Sequence, residues 1–293
     1  MHIERVGDLT CGLGEGPLWD VAEQSLYFTD VLARKLRKFT PANGAFEHWD
    51  TPYSVSSLAL DCSGGAVLAM ANGLYAFDFA SGAATLINDP EADRPLTILN
   101  DGKTDRRGRF LFGSVATDHV SPICGLYKLE FGAVTRLDDG FTITNGPCWS
   151  PDGATFYLAD SVPNSTIYAY DYDLDAGTIG ARREFANTRD LGGFPDGATV
   201  DAEGRLWTAV CGAGKIACYE PSGSLCELIE VPPRLVSSLM FGGADLDRLY
   251  VTSIDAAALN FAVPAGNAGG GQLFVISGIA ARGVPEPRYR GRR

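Results

Sequence analysis

Three oxygen-bearing side chains recur at one place in a repeated pattern. Glu15 stands in Gly14-Glu15-Gly16-Pro17-Leu18-Trp19, followed by Leu26-Tyr27-Phe28-Thr29-Asp30. Asn145 stands in Thr144-Asn145-Gly146-Pro147-Cys148-Trp149, followed by Phe156-Tyr157-Leu158-Ala159-Asp160. Asp196 stands in Phe194-Pro195-Asp196-Gly197, followed by Leu206-Trp207-Thr208-Ala209. Two carboxylates and a carboxamide make an all-oxygen donor set. Hard divalent cations prefer such ligands: Ca²⁺, Mg²⁺ or Mn²⁺, with Zn²⁺ tolerated. Identical oxygen ligands serve all four, so the sequence does not choose among them. Three protein ligands leave room for water and substrate, as catalysis requires. A cation there would polarise a carbonyl oxygen or acidify a bound water. Asp196 can both bind the cation and take a proton from water. Taken singly, an Asn-Gly or Asp-Gly pair reads as a turn. The shared register across repeats is what argues for a site.

That register predicts the elements that carry it. The repeat anchors are Glu15, Ser56, Asn100, Asn145, Asp196 and Ser237, spaced 41, 44, 45, 51 and 41 residues apart. Such a period fits a four-stranded propeller blade. Aromatic and β-branched runs read as strands, among them Leu26–Thr29, Phe110–Val115, Thr155–Ala159 and Leu249–Ser253. Turn signals such as Pro151-Asp152-Gly153 and Pro221-Ser222-Gly223 separate them. No long stretch shows a 3.6-residue apolar period, so helices are few. The expected fold is all-β: a six-bladed β-propeller with four-stranded blades around a central channel. One domain spans residues 1–293, and Met1–Thr10 supplies the outer strand that closes the last blade. Each anchor opens the innermost strand of its blade on one rim of the channel. Long loops at Asn88–Leu99, Ala116–Cys124 and Ile254–Gly271 fall on that same rim and suggest a lidded pocket.

Composition narrows the function classes. Apolar residues make up 45% and charged residues 20%, ordinary for a globular chain. The net charge is −12, and no basic patch interrupts it, which argues against nucleic-acid binding. The one basic run, Arg288–Arg293, reads as a frayed solvated tail. No apolar leader segment and no 18-residue apolar run occur, so neither secretion nor membrane insertion is expected. The seven cysteines are scattered, with no Cys-x-x-Cys pair. Together these point to a reduced, cytoplasmic protein whose cysteines are small core or strand residues. The sequence gives no sign of oligomeric state. Cys148 and Cys211 fall near the candidate site in the repeat frame, but no histidine recurs beside them to activate a thiol. His2, His48 and His119 share no repeat position and read as surface residues. Trp19, Trp149 and Trp207 read as packing between blades.

Asn100 is the fourth polar anchor, placed to meet the cation through water or to hydrogen-bond a substrate. Its neighbour Asp101 should point into the blade and serve the turn. Asp118, on a long rim loop, can accept hydrogen bonds from substrate hydroxyls.

The motif set Gly14-Glu-Gly-Pro-x-Trp19, Asn100-Asp-Gly-Lys103, Thr144-Asn-Gly-Pro147, Ser150-Pro-Asp-Gly153, Phe194-Pro-Asp-Gly197, Asp201–Trp207 and Phe241–Leu246 covers nearly the whole chain. In order and spacing it resembles the senescence-marker-protein/gluconolactonase/regucalcin-like family of sugar lactonases. The resemblance implies a six-bladed propeller with one divalent metal in its channel. It implies Glu15, Asn145 and Asp196 as metal ligands and Asp196 as general base. It implies Asn100 and Asp118 as substrate contacts. One position departs: family members acting on sugar lactones usually carry an arginine two residues before the asparagine, and here that place is Ile98. An arginine donates hydrogen bonds to ring and hydroxyl oxygens; an isoleucine donates none. Either the substrate is less polar on that side or another donor, such as Arg94, substitutes. The expected activity is a metal-dependent opening of a pentono- or hexonolactone to the aldonic acid. The alternatives are a phosphotriester or aryl-ester hydrolase on the same metal, or a non-catalytic calcium-binding propeller.

Overall fold

The computed structural model describes residues 1–259 and 269–291. Six antiparallel sheets follow one another along the chain. Their innermost strands are Gly14–Asp20, Val55–Leu60, Thr97–Thr104, Thr144–Trp149, Phe194–Val200 and Val236–Gly242. Each packs against the inner strands of both neighbouring blades, and the first meets the sixth. The result is the six-bladed β-propeller that the repeat spacing predicts. We number the blades one to six in chain order of these inner strands.

Burial follows position within a blade. Inner strands are buried along nearly their whole length because the channel side and both blade faces are covered. They therefore read as continuous apolar or small-residue runs rather than an alternation. Outer strands such as Ala45–Asp50 and Ala133–Phe141 carry exposed polar residues. His2–Thr10 lies outermost in blade six, beside Gln272–Ser277, with His2 opposite Ser277 and Arg5 opposite Phe274. Hydrogen bonds between early and late chain thus close the ring and hide a sheet edge.

Blade four departs from the four-strand pattern. The outer edge of Thr166–Asp173 is shared between Arg183–Asn187 and the two-residue strand Thr178–Ile179. Helix among the described residues is confined to two 3₁₀ turns, Arg189–Leu191 and Ala256–Leu259. None is long and apolar enough to cross a membrane.

The tryptophans fill the blade contacts. Trp19 of blade one stacks on Tyr250 of blade six, 5.5 Å between ring centroids. Trp207 of blade five stands edge-on to Phe241 of blade six and donates its indole N–H to Asp201 at 2.8 Å. Trp149 joins a cluster with Leu111 and Leu126 of blade three.

The C-terminal run corrects the sequence reading. Tyr289 is buried, its N–H donates to the Leu60 carbonyl at 2.7 Å, and its carbonyl accepts from Cys62 at 3.1 Å. Arg290 N–H donates to Gly108, and Arg288 pairs with Asp20. Further back, the Thr104 hydroxyl donates to the Pro287 carbonyl and Ala202 N–H to the Arg282 carbonyl. Segment 282–290 is thus a strap across blades five, three, two and one. It touches the far ends of their inner strands, opposite the anchors. The reason is chemical: Tyr289 supplies an apolar anchor and Asp20 a counter-charge for Arg288, so the described start of the run is held to the ring while the Arg290 side chain stays exposed. Residues 292 and 293 lie outside the described residues, as does 260–268, the middle of the expected loop Ile254–Gly271.

Candidate metal centre

Every inner strand breaks its pairing register at its anchor. The breaks fall between Glu15 and Leu18, Val55 and Ser57, Leu99 and Gly102, Asn145 and Cys148, Pro195 and Ala198, and Val236 and Ser238. A β-bulge re-aims a side chain that regular alternation would send into a blade face. In blades one and four a left-handed glycine makes the bulge possible. Gly16 and Gly146 take positive φ, +54° and +58°. A Cβ on Gly146 would come within 2.8 Å of the Asp196 carbonyl oxygen, so blades four and five approach there as only glycine allows.

Hydrogen bonds then run from blade to blade around this rim. Ser56 and Ser57 hydroxyls donate to the Asn100 carbonyl at 3.0 and 2.8 Å. The Asn100 amide donates to the Thr144 carbonyl and to the Asn145 side-chain oxygen at 2.9 and 2.8 Å. The Asn145 amide donates to the Ser161 hydroxyl, which donates to the Pro195 carbonyl at 2.6 Å. The Ser237 hydroxyl donates to the Gly14 carbonyl at 2.5 Å. Ser161 thereby leaves the Asn145 oxygen, rather than its nitrogen, on the Asn100 side.

Glu15 and Asp196 meet electrostatically at this rim. Asp196 and Asn145 are buried, while Glu15 retains some exposure. Burial pushes the Glu15 carboxyl well above the usual carboxylate range, and the charges of Asp196 and Asp101 push it further. Burial, then Asp101, does the same to Asp196, against the Gly197 N–H and the Cys211 thiol that hydrogen-bond it. Asp101 is therefore more than a turn residue. It is buried, accepts from Gly102 N–H and Gly146 N–H at 2.8 Å each, and adds a third negative charge. Its carboxyl is also raised by burial, with Lys103 opposing.

Such a group is short of positive charge. No described arginine, lysine or histidine nitrogen lies within 4.0 Å of Glu15, Asp101 or Asp196. Buried like charges are costly until a cation offsets them. No three His, Cys, Asp or Glu side chains among the described residues form a compact ligand group by themselves. The carboxamide oxygen of Asn145 is the third donor such a site would draw on. Two carboxylates and one amide oxygen fit a hard divalent ion.

The remaining candidates are placed as follows. Asp118 lies exposed on the loop after Phe110–Ala116. Its Oδ1 accepts from the N–H groups of Val120 and Ser121 at 2.9 Å, and its Oδ2 from the Ser121 hydroxyl at 2.5 Å. Those hydrogen bonds, the Ser121 hydroxyl first, hold its pKa down to about 2. Leu96 of the neighbouring loop accepts from Thr117 N–H at 2.9 Å, so the two rim loops touch. Ile98 lines a cavity of about 180 Å³ between blades two and three. Arg94 turns its guanidinium to the Ile123 carbonyl, 3.0 Å away. Cys148 and Cys211 are buried thiols; burial raises Cys148 to about 12 and Cys211 well above its ordinary value. The three histidines are exposed. Asp160, which ends its repeat unit at the same place as Asp30, carries a role that the repeat alone did not assign. It accepts from Thr142 and Ile143 N–H at 3.0 Å, fixing the chain entering the Asn145 strand.

Residues 13–255 match the family described as SMP-30/Gluconolactonase/LRE-like region. The chain belongs to this family. Regucalcin of Gallus gallus is 33% identical over 300 residues, covering 99% of both chains. A pentonolactonase of Haloferax volcanii is 33% identical over 299 residues, covering 98% of both. Among solved structures, a calcium-binding regucalcin from Agrobacterium tumefaciens superposes with a TM-score of 0.90 at 30% identity. That match covers 98% of this chain and 96% of the other. Lactonases are thus among the relatives.

Proposed function

We propose that the protein is a divalent-metal-dependent hydrolase that opens a sugar lactone, a pentono- or hexonolactone, to the aldonic acid. The observation that carries this reading is the Glu15–Asp196 pair, whose carboxyls burial and neighbouring carboxylates raise together and which no described cation pairs. The Haloferax pentonolactonase supports the substrate class, and the calcium-binding Agrobacterium relative supports a divalent ion. Free cysteines throughout accord with the cytoplasm as its place of action.

Glu15, Asn145 and Asp196 would hold the ion. When bound, it supplies Lewis-acid polarisation of the lactone carbonyl and charge stabilisation for the developing oxyanion. Asp196 receives a proton from the attacking water as the water oxygen bonds to the carbonyl carbon. The ring C–O bond then breaks, and the departing alkoxide takes that proton back. Gly197 and Cys211 hold the Asp196 carboxylate in place for this exchange. Asn100, beside Asn145, contacts a substrate hydroxyl, and Asp118 on the rim loop accepts from another.

A second reading is a phosphotriester or aryl-ester hydrolase on the same residues. Ile98 favours it, because it puts an apolar surface where an arginine would bind a sugar. Proton release at constant pH separates the two, using EDTA-stripped enzyme refilled with one metal at a time. The panel holds γ- and δ-lactones of pentonic and hexonic acids beside paraoxon-type esters. Metal-restored turnover on one lactone supports the first reading. Turnover on the esters alone supports the second. No turnover from protein that binds a metal tightly returns the non-catalytic calcium-binding propeller.

A further inference from the structure

Lys103 is a buried lysine whose hydrogen bond goes to a backbone carbonyl, with no ion pair to a carboxylate among the described residues. It stands on the inner strand of blade three, two residues after Asp101. Its Nζ donates to the Ala198 carbonyl at 2.8 Å. Ala198 belongs to the inner strand of blade five, so the side chain reaches past blade four. Ala198 also closes the register break that contains Asp196. Asp101 makes the complementary tie: its Oδ2 accepts from Gly146, the residue after Asn145. Asp101 and Lys103 together link the three blades that carry Asn100, Asn145 and Asp196.

The charges close a simple account. Glu15, Asp101 and Asp196 contribute three negative charges and Lys103 one positive, leaving a net −2. Without Lys103 the group would carry −3 and suit a trivalent ion. Without Asp101 it would carry −1 and hold a divalent ion poorly.

We propose that Lys103 is a positioning and charge-setting residue for the metal centre. Its ammonium offsets Asp101, so that one divalent cation neutralises the group, and its bond to Ala198 holds the Asp196 bulge. The proposal rests on the reading of Glu15, Asn145 and Asp196 as the ligands.

The test measures Ca²⁺ and Tb³⁺ dissociation constants on the full chain by calorimetry, at one fixed pH. Lys103→Met raises the preference for Tb³⁺ over Ca²⁺ by about tenfold, since one extra negative charge acts more strongly on the trivalent ion. Asp101→Asn shifts the ratio the other way. The double variant returns to the wild-type ratio, and Lys103→Arg leaves it unchanged. A purely structural lysine would weaken both ions together and give no shifts of opposite sign. If Lys103→Met fails to fold, the sign of the Asp101→Asn shift decides. If the wild type binds Ca²⁺ while these variants keep its ratio within about twofold, the charge balance is overturned and the metal reading stands. A wild type that binds neither ion overturns the metal reading and the balance with it.

Discussion

The side-chain amide of Asn100 donates to the side-chain oxygen of Asn145 across 2.8 Å. The same Asn145 donates its own N–H to Ser161, so both ends of its amide are held. A residue assigned to substrate thus also fixes a proposed metal ligand. Asn100→Ala should therefore act on both. Loss of one neutral hydrogen bond costs about 1 kcal/mol, so cation affinity should fall about fivefold. The lactone kcat/KM should fall further, because the substrate contact goes as well. Calorimetry with Ca²⁺ beside proton-release kinetics reads the two effects. An unchanged cation affinity with a raised KM would confine Asn100 to substrate.

How much of this was legible in the sequence depends on which rule each residue obeys. Glu15, Asn145 and Asp196 stand out as candidates because equivalent positions of a ring share an axis, and the ring follows from period and strand composition. The bulges that aim them were not legible as such. A bulge leaves only a glycine and a broken alternation, which a turn leaves too. The charge Asp101 adds was not legible either: it accepts from Gly102 and Gly146 N–H, as a structural residue does, and only its burial near Glu15 and Asp196 makes it count electrostatically. The strap misled through composition. Four arginines in six residues look solvated, and nothing local reveals that Asp20 awaits Arg288 and the Leu60 carbonyl awaits Tyr289.

Cation binding should stabilise the fold as well as serve chemistry. Glu15 and Asp196 repel each other in a buried place, and a cation removes that penalty only in the folded chain. At a hundredfold excess over its Kd, a single bound ion adds about 2.7 kcal/mol. Thermal unfolding after EDTA stripping and refilling should show Tm rising by roughly 5–10 °C with at least one of Ca²⁺, Mg²⁺, Mn²⁺ and Zn²⁺. A Tm indifferent to all four would sink the metal assignment.

The strap should contribute measurably to stability. Tyr289 buries its ring, and truncating a buried aromatic costs about 3 kcal/mol. Tyr289→Ala should lower Tm by roughly 5–10 °C. Arg288→Ala should lower it less, because Asp20 then loses its partner while Tyr289 stays seated. A frayed tail would leave both melting curves where they were.

Thiol chemistry should sort the cysteines by position. Cys62 and Cys226 are exposed, and the other five are buried. Burial lifts Cys11, Cys124 and Cys148 to about 12, so their thiolate fraction is negligible below about pH 10 and grows only above it. Iodoacetamide at pH 8 should modify Cys62 and Cys226 in the native protein and leave the lactonase rate unchanged. Peptide mass mapping reads the sites. Rapid native labelling of Cys211 would mean that the thiol beside Asp196 is open and reactive, and a thiol mechanism would have to be considered.

Ile98 offers the sharpest control over substrate. It stands two residues before Asn100, at the start of the inner strand of blade three, and lines the small cavity beneath the loop that carries Arg94. Arg94 is committed to the Ile123 carbonyl, so nothing supplied by that loop replaces a guanidinium at position 98. Ile98→Arg puts a donor at the position where the family resemblance leads one to expect an arginine beside a sugar lactone. A charge-assisted hydrogen bond is worth about 1.5–3 kcal/mol, so kcat/KM for a hexonolactone should rise tenfold or more, at about that scale, while apolar aryl esters lose rate. The gain should appear mainly in KM, because the contact forms in ground and transition states alike. If Ile98→Arg improves neither lactone ring size and wild-type turnover already favours apolar esters, the pocket is built for the apolar substrate and Ile98 is its selecting residue.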